Sequence, residues 1–139
     1  MGSKDSVAAL TSLQPAWQWQ EANDFVELMA TQADVIFNLI DDAGEQVYDT
    51  HLPVFINSVT ITLKQKDHPA NVVRFNGWPG FINRSVWELS GVLSDIHLKA
   101  LNGLQRQYEL LPDVTGFVAA RVIAMIVNEA HYALGEGVS

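Results

Sequence analysis

Cysteine is absent from the 139 residues. That excludes disulfides, thiolate nucleophiles and cysteine-based zinc sites, and it favours a cytoplasmic setting. Basic residues are scarce: eight Lys and Arg stand against sixteen Asp and Glu, for a net charge of −8. Such a surface repels phosphate backbones and anionic lipid, so neither nucleic acid nor membrane is expected as a partner. Apolar runs are too short to span a bilayer, and the longest, 117–127, is interrupted by Arg121. Residues 1–13 lack the apolar core of a signal peptide. The histidines, His51, His68, His97 and His131, show no metal-ligand spacing, and no Gly-x-Ser-x-Gly elbow is present. No metal site is therefore expected.

What remains is a chain with 48% hydrophobic and 17% charged residues, suited to one soluble domain with a real core. Ser3 or Asp5 is placed to cap a first helix with Val7, Leu10 and Leu13 on one face, ended by Pro15. The alternation around Trp17 and Trp19 predicts a short strand over 16–20. The spacing of Phe25, Leu28 and Met29 predicts a helix over 21–32. Nearly continuous apolar runs at 33–40, 53–57 and 71–75 predict strands buried on both faces, the mark of a parallel sheet. Between them, 45–51 and 58–65 are candidate helical connections, the second weakened by its β-branched residues. Turn chemistry at 76–80 precedes a strand over 85–90. Residues 94–108 read as a helix capped by Ser94, with Ile96, Leu98, Leu101, Leu104 and Tyr108 inward. A last short strand at 109–111 and a linker at 112–116 lead to one long helix over 117–134, closed by Gly135. That helix is apolar around most of its circumference, so it is expected to be buried against a second chain or a further segment. The expected fold class is α/β, with a mostly parallel sheet over 1–112 and a linker and long helix over 113–139.

The order of these segments resembles the later part of the 3-hydroxyacyl-CoA dehydrogenases. The residues that carry it are Ala33-Asp-Val-Ile-Phe-Asn-Leu-Ile40, Pro53-Val-Phe-Ile-Asn-Ser58, Asn71-Val-Val-Arg-Phe-Asn-Gly-Trp-Pro79, Val86-Trp-Glu-Leu-Ser-Gly91 and Asp113 through Ala130. The resemblance covers 33–139 and is most specific over 115–130. It implies a Rossmann-like domain followed by the first long helix of a C-terminal helical domain. It also implies NAD as cofactor, an acyl-CoA-type ligand, and oxidation of a 3-hydroxyacyl thioester to the 3-oxo form.

By the same resemblance Glu88 matches the glutamate that orients a histidine base, whereas the histidine's own place falls on Phe75 or Asn76. Neither can accept a hydroxyl proton at neutral pH. The substrate-binding serine falls on Val59 and the carbonyl-holding asparagine on Ala120. Residues 2–7 hold one glycine with no predicted strand before them, where dinucleotide binding uses Gly-x-Gly-x-x-Gly after a strand. The resemblance thus implies a short, divergent relative, truncated at one or both ends, with hydride transfer weak or lost. The alternative is a non-catalytic binding or dimerisation module on the same scaffold, paired as a homodimer through 117–134. A third reading keeps activity with Glu88 or Asp42 as the base.

Each candidate has a plainer reading. Glu88 is a retained catalytic carboxylate or, lacking its histidine, a strand-end surface acid. Asn57 contacts a nucleotide at the carboxyl edge of the sheet or caps the following turn. Asp41 and Asp42 form an acid–base pair or a solvated loop. Trp78 lines a pocket or packs a turn. Arg84 meets an anionic ligand or solvent. Arg121, inside an apolar helix, needs a carboxylate if buried, with Glu88, Glu129 or a second chain as candidates.

Overall fold

The computed structural model describes residues 1–135, with side chains through residue 130. Its elements run α1 (Lys4–Leu13), α2 (Phe25–Ala30), β1 (Ile36–Asn38), β2 (Val54–Asn57), β3 (Val72–Phe75), β4 (Val86–Ser90), α3 (Asp95–Gly103), β5 (Gln107–Leu110) and α4 (Ala119–Gly135). One five-stranded sheet has the order β1-β2-β3-β4-β5. β1, β2 and β3 pair in parallel, β4 runs antiparallel to β3, and β5 is parallel to β4. The expected mostly parallel α/β sheet is present.

The apolar runs explain why the sheet is buried on both faces. Period-2 alternation sends Phe37, Phe55, Val73, Phe75 and Leu89 to one face, where α1 and α3 cover them. It sends Ile36, Val54, Ile56 and Val72 to the other, beneath α2 and Tyr48. Aromatic rings cross the first face strand by strand. Phe37 stacks on Phe55 at 5.0 Å between centroids, Phe55 meets Phe75 edge-on at 6.4 Å, and Phe75 stacks on Trp87 at 4.8 Å. Such pairs add about 0.5–1.5 kcal/mol each beyond their area.

Several expectations fail for local reasons. Residues 16–20 form no strand. The Trp17 ring instead packs over the end of α3, where a Cβ on Gly103 would clash with it, and Trp19 donates its indole N–H to the Gln14 carbonyl at 2.9 Å. The helix expected over 21–32 shrinks to α2, because Asp24 caps it at Glu27 and Thr31 is already extended. The connections at 45–51 and 58–65 yield only single 3-10 turns at Ala43–Glu45 and Lys64–Lys66.

α3 stops at Gly103 rather than reaching Tyr108. Arg106 donates its N–H to the Leu101 carbonyl and Gln105 to that of Asn102, with Gln105 at φ +56°: a Schellman closure built on a non-glycine residue. Its inner face is His97, Ala100, Leu101 and Leu104, while Ile96 and Leu98 face outward. Tyr108 belongs to β5 and is exposed. The long helix begins at Ala119, two residues late, because Gly116 and Phe117 both hold positive φ. It is also not buried. Every described side chain from 121 to 130 is exposed, Arg121 included. The side chains of Tyr132 and Leu134 lie outside the described residues, as does any cap beyond Gly135.

His97 closes the α3 capping box from inside the core. Its Nδ1 accepts the Ser94 N–H at 3.1 Å and its Nε2 meets the Asn71 carbonyl at 3.1 Å, which assigns the neutral tautomer protonated at Nε2. Burial holds its pKa below the ordinary 6.5, partly opposed by the Val54 and Asn71 carbonyls. The unfolded chain therefore binds the proton first. The stability contributed by neutral His97 is complete above pH 6.5 and is lost as pH falls through the lower folded pKa. Melting temperature should fall as the pH drops below about 6.5. His97→Gln, which can rebuild the Ser-x-x-Gln capping box, should flatten that slope. An unchanged slope in the variant would remove His97 as its source.

Candidate functional site at the carboxyl edge of the sheet

The carboxyl ends of β1, β2 and β3 lie side by side, the place where parallel α/β sheets gather ligands. Asn57 ends β2 and is buried. Its Nδ2 donates to the Leu39 carbonyl at 3.3 Å and to Asp41 Oδ1 at 3.2 Å, and its Oδ1 accepts the Gly77 N–H at 2.9 Å. A Cβ on Gly77 would lie 2.9 Å from the Asn57 carboxamide carbon, so this approach requires glycine. Asn57 thus ties three strand ends together.

Glu88 sits within β4, opposite Asn76. Asn76 Nδ2 donates to Glu88 Oε1 at 3.4 Å. The other donors to this carboxylate are the backbone N–H groups of Val118, at 2.8 Å to Oε2, and Ala119, at 3.1 Å to Oε2 and 3.3 Å to Oε1. Glu88 therefore caps the amino end of α4, where a carboxylate also opposes the helix dipole. The reading of Glu88 as a strand-end surface acid is corrected: it is half-buried, and its two oxygens are engaged by one side chain and a helix terminus. Of the two places for the family's histidine, Phe75 points into the aromatic core and Asn76 faces Glu88.

Val59 and Ala120, where the resemblance puts polar substrate contacts, are both buried in one apolar cluster with Phe117, against which Trp78 and Leu111 pack. Trp78 is thus part of a packed turn. Arg84 is exposed, with its guanidinium 5.2 Å from the Phe81 ring. Arg121 is exposed rather than buried, and no ion pair to it occurs among the described residues. Asp41 serves Asn57, and Asp42 accepts the Thr60 N–H at 3.3 Å, so the two acids shape loops. Among the described residues no cluster of metal-ligating side chains occurs.

The sequence reading passed over Arg74, the one buried arginine. Nε donates to the Ser58 carbonyl and Nη2 to the Val59 carbonyl, both at 2.8 Å. Nη1 reaches Asp113 Oδ1 at 3.0 Å and the Val114 carbonyl at 2.9 Å. The guanidinium carbon lies 4.1 Å from the Phe117 ring centroid. The signal was a lone charge inside the apolar run Val-Val-Arg-Phe, followed by Asp113 in a short linker.

At the β1 end of this edge, Gly2 precedes Ser3, the N-cap of α1. A Cβ on Gly2 would lie 2.6 Å from Leu39 Cβ, so the turn into α1 presses directly on β1. The Ser3 hydroxyl accepts the Ser6 N–H at 3.1 Å, and Asp5 lies in the same first turn as Lys4.

In comparisons with solved structures, the fold is similar to that of FadB2 from M. tuberculosis, at 17% identity over 84% of this chain and 48% of that one, with a TM-score of 0.59. It is also similar to (S)-3-hydroxybutyryl-CoA dehydrogenase PaaH1 from Ralstonia eutropha, at 20% identity over 84% of this chain and 47% of that one, with a TM-score of 0.57. The chain spans about half the length of either structure. No family model and no curated protein matches the sequence. The likeness is one of fold, and it agrees with the Rossmann-like α/β domain expected above.

If Glu88 is the cap of α4, Glu88→Ala should cost about 0.5–2 kcal/mol of helix stability. Hydrogen exchange at the Val118 and Ala119 amides should quicken while the central strand amides keep their rates. Unaltered exchange at those two amides would refute the capping role.

Proposed function

We propose that this chain is a 3-hydroxyacyl-CoA dehydrogenase-like scaffold in which hydride-transfer chemistry is weak or lost. One observation carries the proposal: the group facing Glu88 is the Asn76 carboxamide. An amide donates to the carboxylate as an imidazole N–H would, but it cannot then take a proton from a substrate hydroxyl, and a positioned base is worth about 10²–10⁴ in rate. The apolar cluster of Val59, Phe117 and Ala120 supports the same reading, since it offers no hydrogen bond to a thioester carbonyl.

The amino end of α1 does not fit a dinucleotide well. It supplies one glycine where the fingerprint uses three, its capping hydroxyl is spent on Ser6, and Asp5 sets a carboxylate beside any pyrophosphate. What this chain's residues do is hold the three strand ends and the start of α4 in place through Asn57, Asn76 and Glu88. The cysteine-free composition supports a reducing, cytoplasmic setting. No helix among the described residues is long and apolar enough to cross a membrane.

With acetoacetyl-CoA and NADH, the chain should consume NADH no faster than buffer, and NADH should not quench its tryptophans saturably below roughly 1 mM. Robust turnover would overturn the proposal.

A second reading is favoured by α4, whose Val122, Ile123, Met125, Ile126 and Val127 are 44–66% exposed. On this reading the chain is a dimerisation module in which α4 packs on α4 of a second copy. Light scattering should give twice the chain's mass, and Val122→Glu with Ile126→Glu should restore the monomer. A monomer for the unaltered chain at high concentration would dismiss the pairing.

A further inference from the structure

Asn-Gly occurs twice in the chain, at 76–77 and 102–103. In this dipeptide the glycine nitrogen can attack the asparagine carboxamide, because no Cβ on the second residue hinders the approach. The nitrogen gives up its proton and bonds to the asparagine Cγ. The Cγ–Nδ2 bond then breaks, and Nδ2 takes a proton and leaves as ammonia. The five-membered imide adds one water and opens to aspartate or isoaspartate, so water is the one co-reactant.

At 76–77 the reacting groups are held apart from this step. Gly77 is buried and Asn76 is 2% exposed. The Gly77 N–H, which must be lost, donates to Asn57 Oδ1 at 2.9 Å. That acceptor is a neutral amide oxygen and cannot carry the proton away. The Asn76 carboxamide is fixed at both ends: Nδ2 donates to Glu88 Oε1 at 3.4 Å, and Oδ1 accepts the Trp78 N–H at 3.2 Å. Asn57 is in turn fixed by the Leu39 carbonyl and Asp41. The second dipeptide sits differently, with Asn102 exposed in the last turn of α3.

We propose that Asn76 is a latent deamidation site and that Asn57 is the residue that keeps it closed. When the Asn57 tie opens, the Gly77 nitrogen meets water, loses its proton and closes the imide on Asn76. The product sets a carboxylate against Glu88 where an amide N–H had donated, and like charges in contact repel. Conversion therefore removes one of the contacts that hold Glu88 beside the start of α4. Neither a nucleotide nor a thioester enters this step, so it is independent of the dehydrogenase-like reading.

Peptide mapping of the full chain, aged in mildly alkaline buffer, reads the conversion at each asparagine. Unfolded in urea, the chain should convert at both Asn76 and Asn102. Folded, it should convert at Asn76 at least about tenfold more slowly than in urea. Asn57→Ala should then speed conversion at Asn76 about tenfold under folding conditions, the scale of one net hydrogen bond. Aspartate and isoaspartate should both appear at 76, as the imide route requires. Asn102 should keep its rate, which separates loss of the tie from loss of the fold. The unaltered chain supplies a second measurement that needs no variant to fold. Across low urea concentrations, conversion at Asn76 should rise in step with hydrogen exchange at the Gly77 amide. A folded Asn57→Ala chain with an unchanged rate at Asn76 would overturn the proposal. So would conversion of the unaltered chain at Asn76 while the Gly77 amide stays protected.

Discussion

The fold turns on a cation placed where water cannot reach it. Arg74 lies inside a strand that is otherwise apolar, and moving an ion of this kind out of water costs several kcal/mol. Burial alone pushes its pKa down; the hydrogen bond to Asp113 and that residue's charge push back. The guanidinium is planar and carries five donors in a fixed fork, so its partners must arrive from fixed directions. They arrive from two parts of the chain. The turn after β2 gives the Ser58 and Val59 carbonyls, and the linker after β5 gives Asp113 and the Val114 carbonyl. Asp113 in turn accepts the Leu63 and Lys64 N–H groups. A lysine at position 74, with one compact charge centre, would not span these partners.

That requirement explains the strain in the linker. Gly116 and Phe117 both adopt positive φ, at +88° and +48°. For a bulky residue such as Phe117 this conformation costs of order 1–2 kcal/mol. The ring is buried beneath the guanidinium and against Val59 and Ala120, and that burial, worth about 1.5–3 kcal/mol, offsets the strain. Two successive left-handed residues then reverse the chain and present the N–H groups of Val118 and Ala119 to Glu88. The buried arginine thus determines where α4 starts, and Glu88 is half-buried because the helix terminus lies over it. The same geometry brings Val59 and Ala120 together, so the place where the dehydrogenase resemblance expects polar contacts is filled by hydrocarbon.

Periodicity made the sheet legible. Nearly continuous apolar runs read as strands covered on both sides, and β1, β2 and β3 are such strands, with Arg74 the one charge among them. Caps were legible where a hydroxyl preceded a helix, as at Ser3 and Ser94. Helix ends were not, because α3 closes through Gln105 in a left-handed conformation that no glycine announces. Its face was misjudged because His97, polar by type, lies at the centre of the core, where the Ser94 backbone and the Asn71 carbonyl satisfy both ring nitrogens. At the candidate site, residue types drew attention to Asn57 and Glu88, yet not to what holds them. Their partners are backbone N–H groups of Gly77, Val118 and Ala119, which carry no side-chain signature.

The same accounting bears on α4. A helix of this length is marginal by itself in water, and Val122, Ile123, Ile126 and Val127 bring β-branched side chains that lower its propensity further. The cap on Glu88 satisfies its first N–H groups but supports only the first turn. Beyond Ala120 every described side chain is exposed and none belongs to a core cluster, so packing within this domain supplies little there. The cap and the linker geometry therefore fix the direction in which α4 leaves the sheet, while its later turns draw no support from the core clusters of this domain. Direction and persistence are set by different contacts. A change at Arg74 or Glu88 acts on the first, and a change on the exposed face of α4 acts on the second.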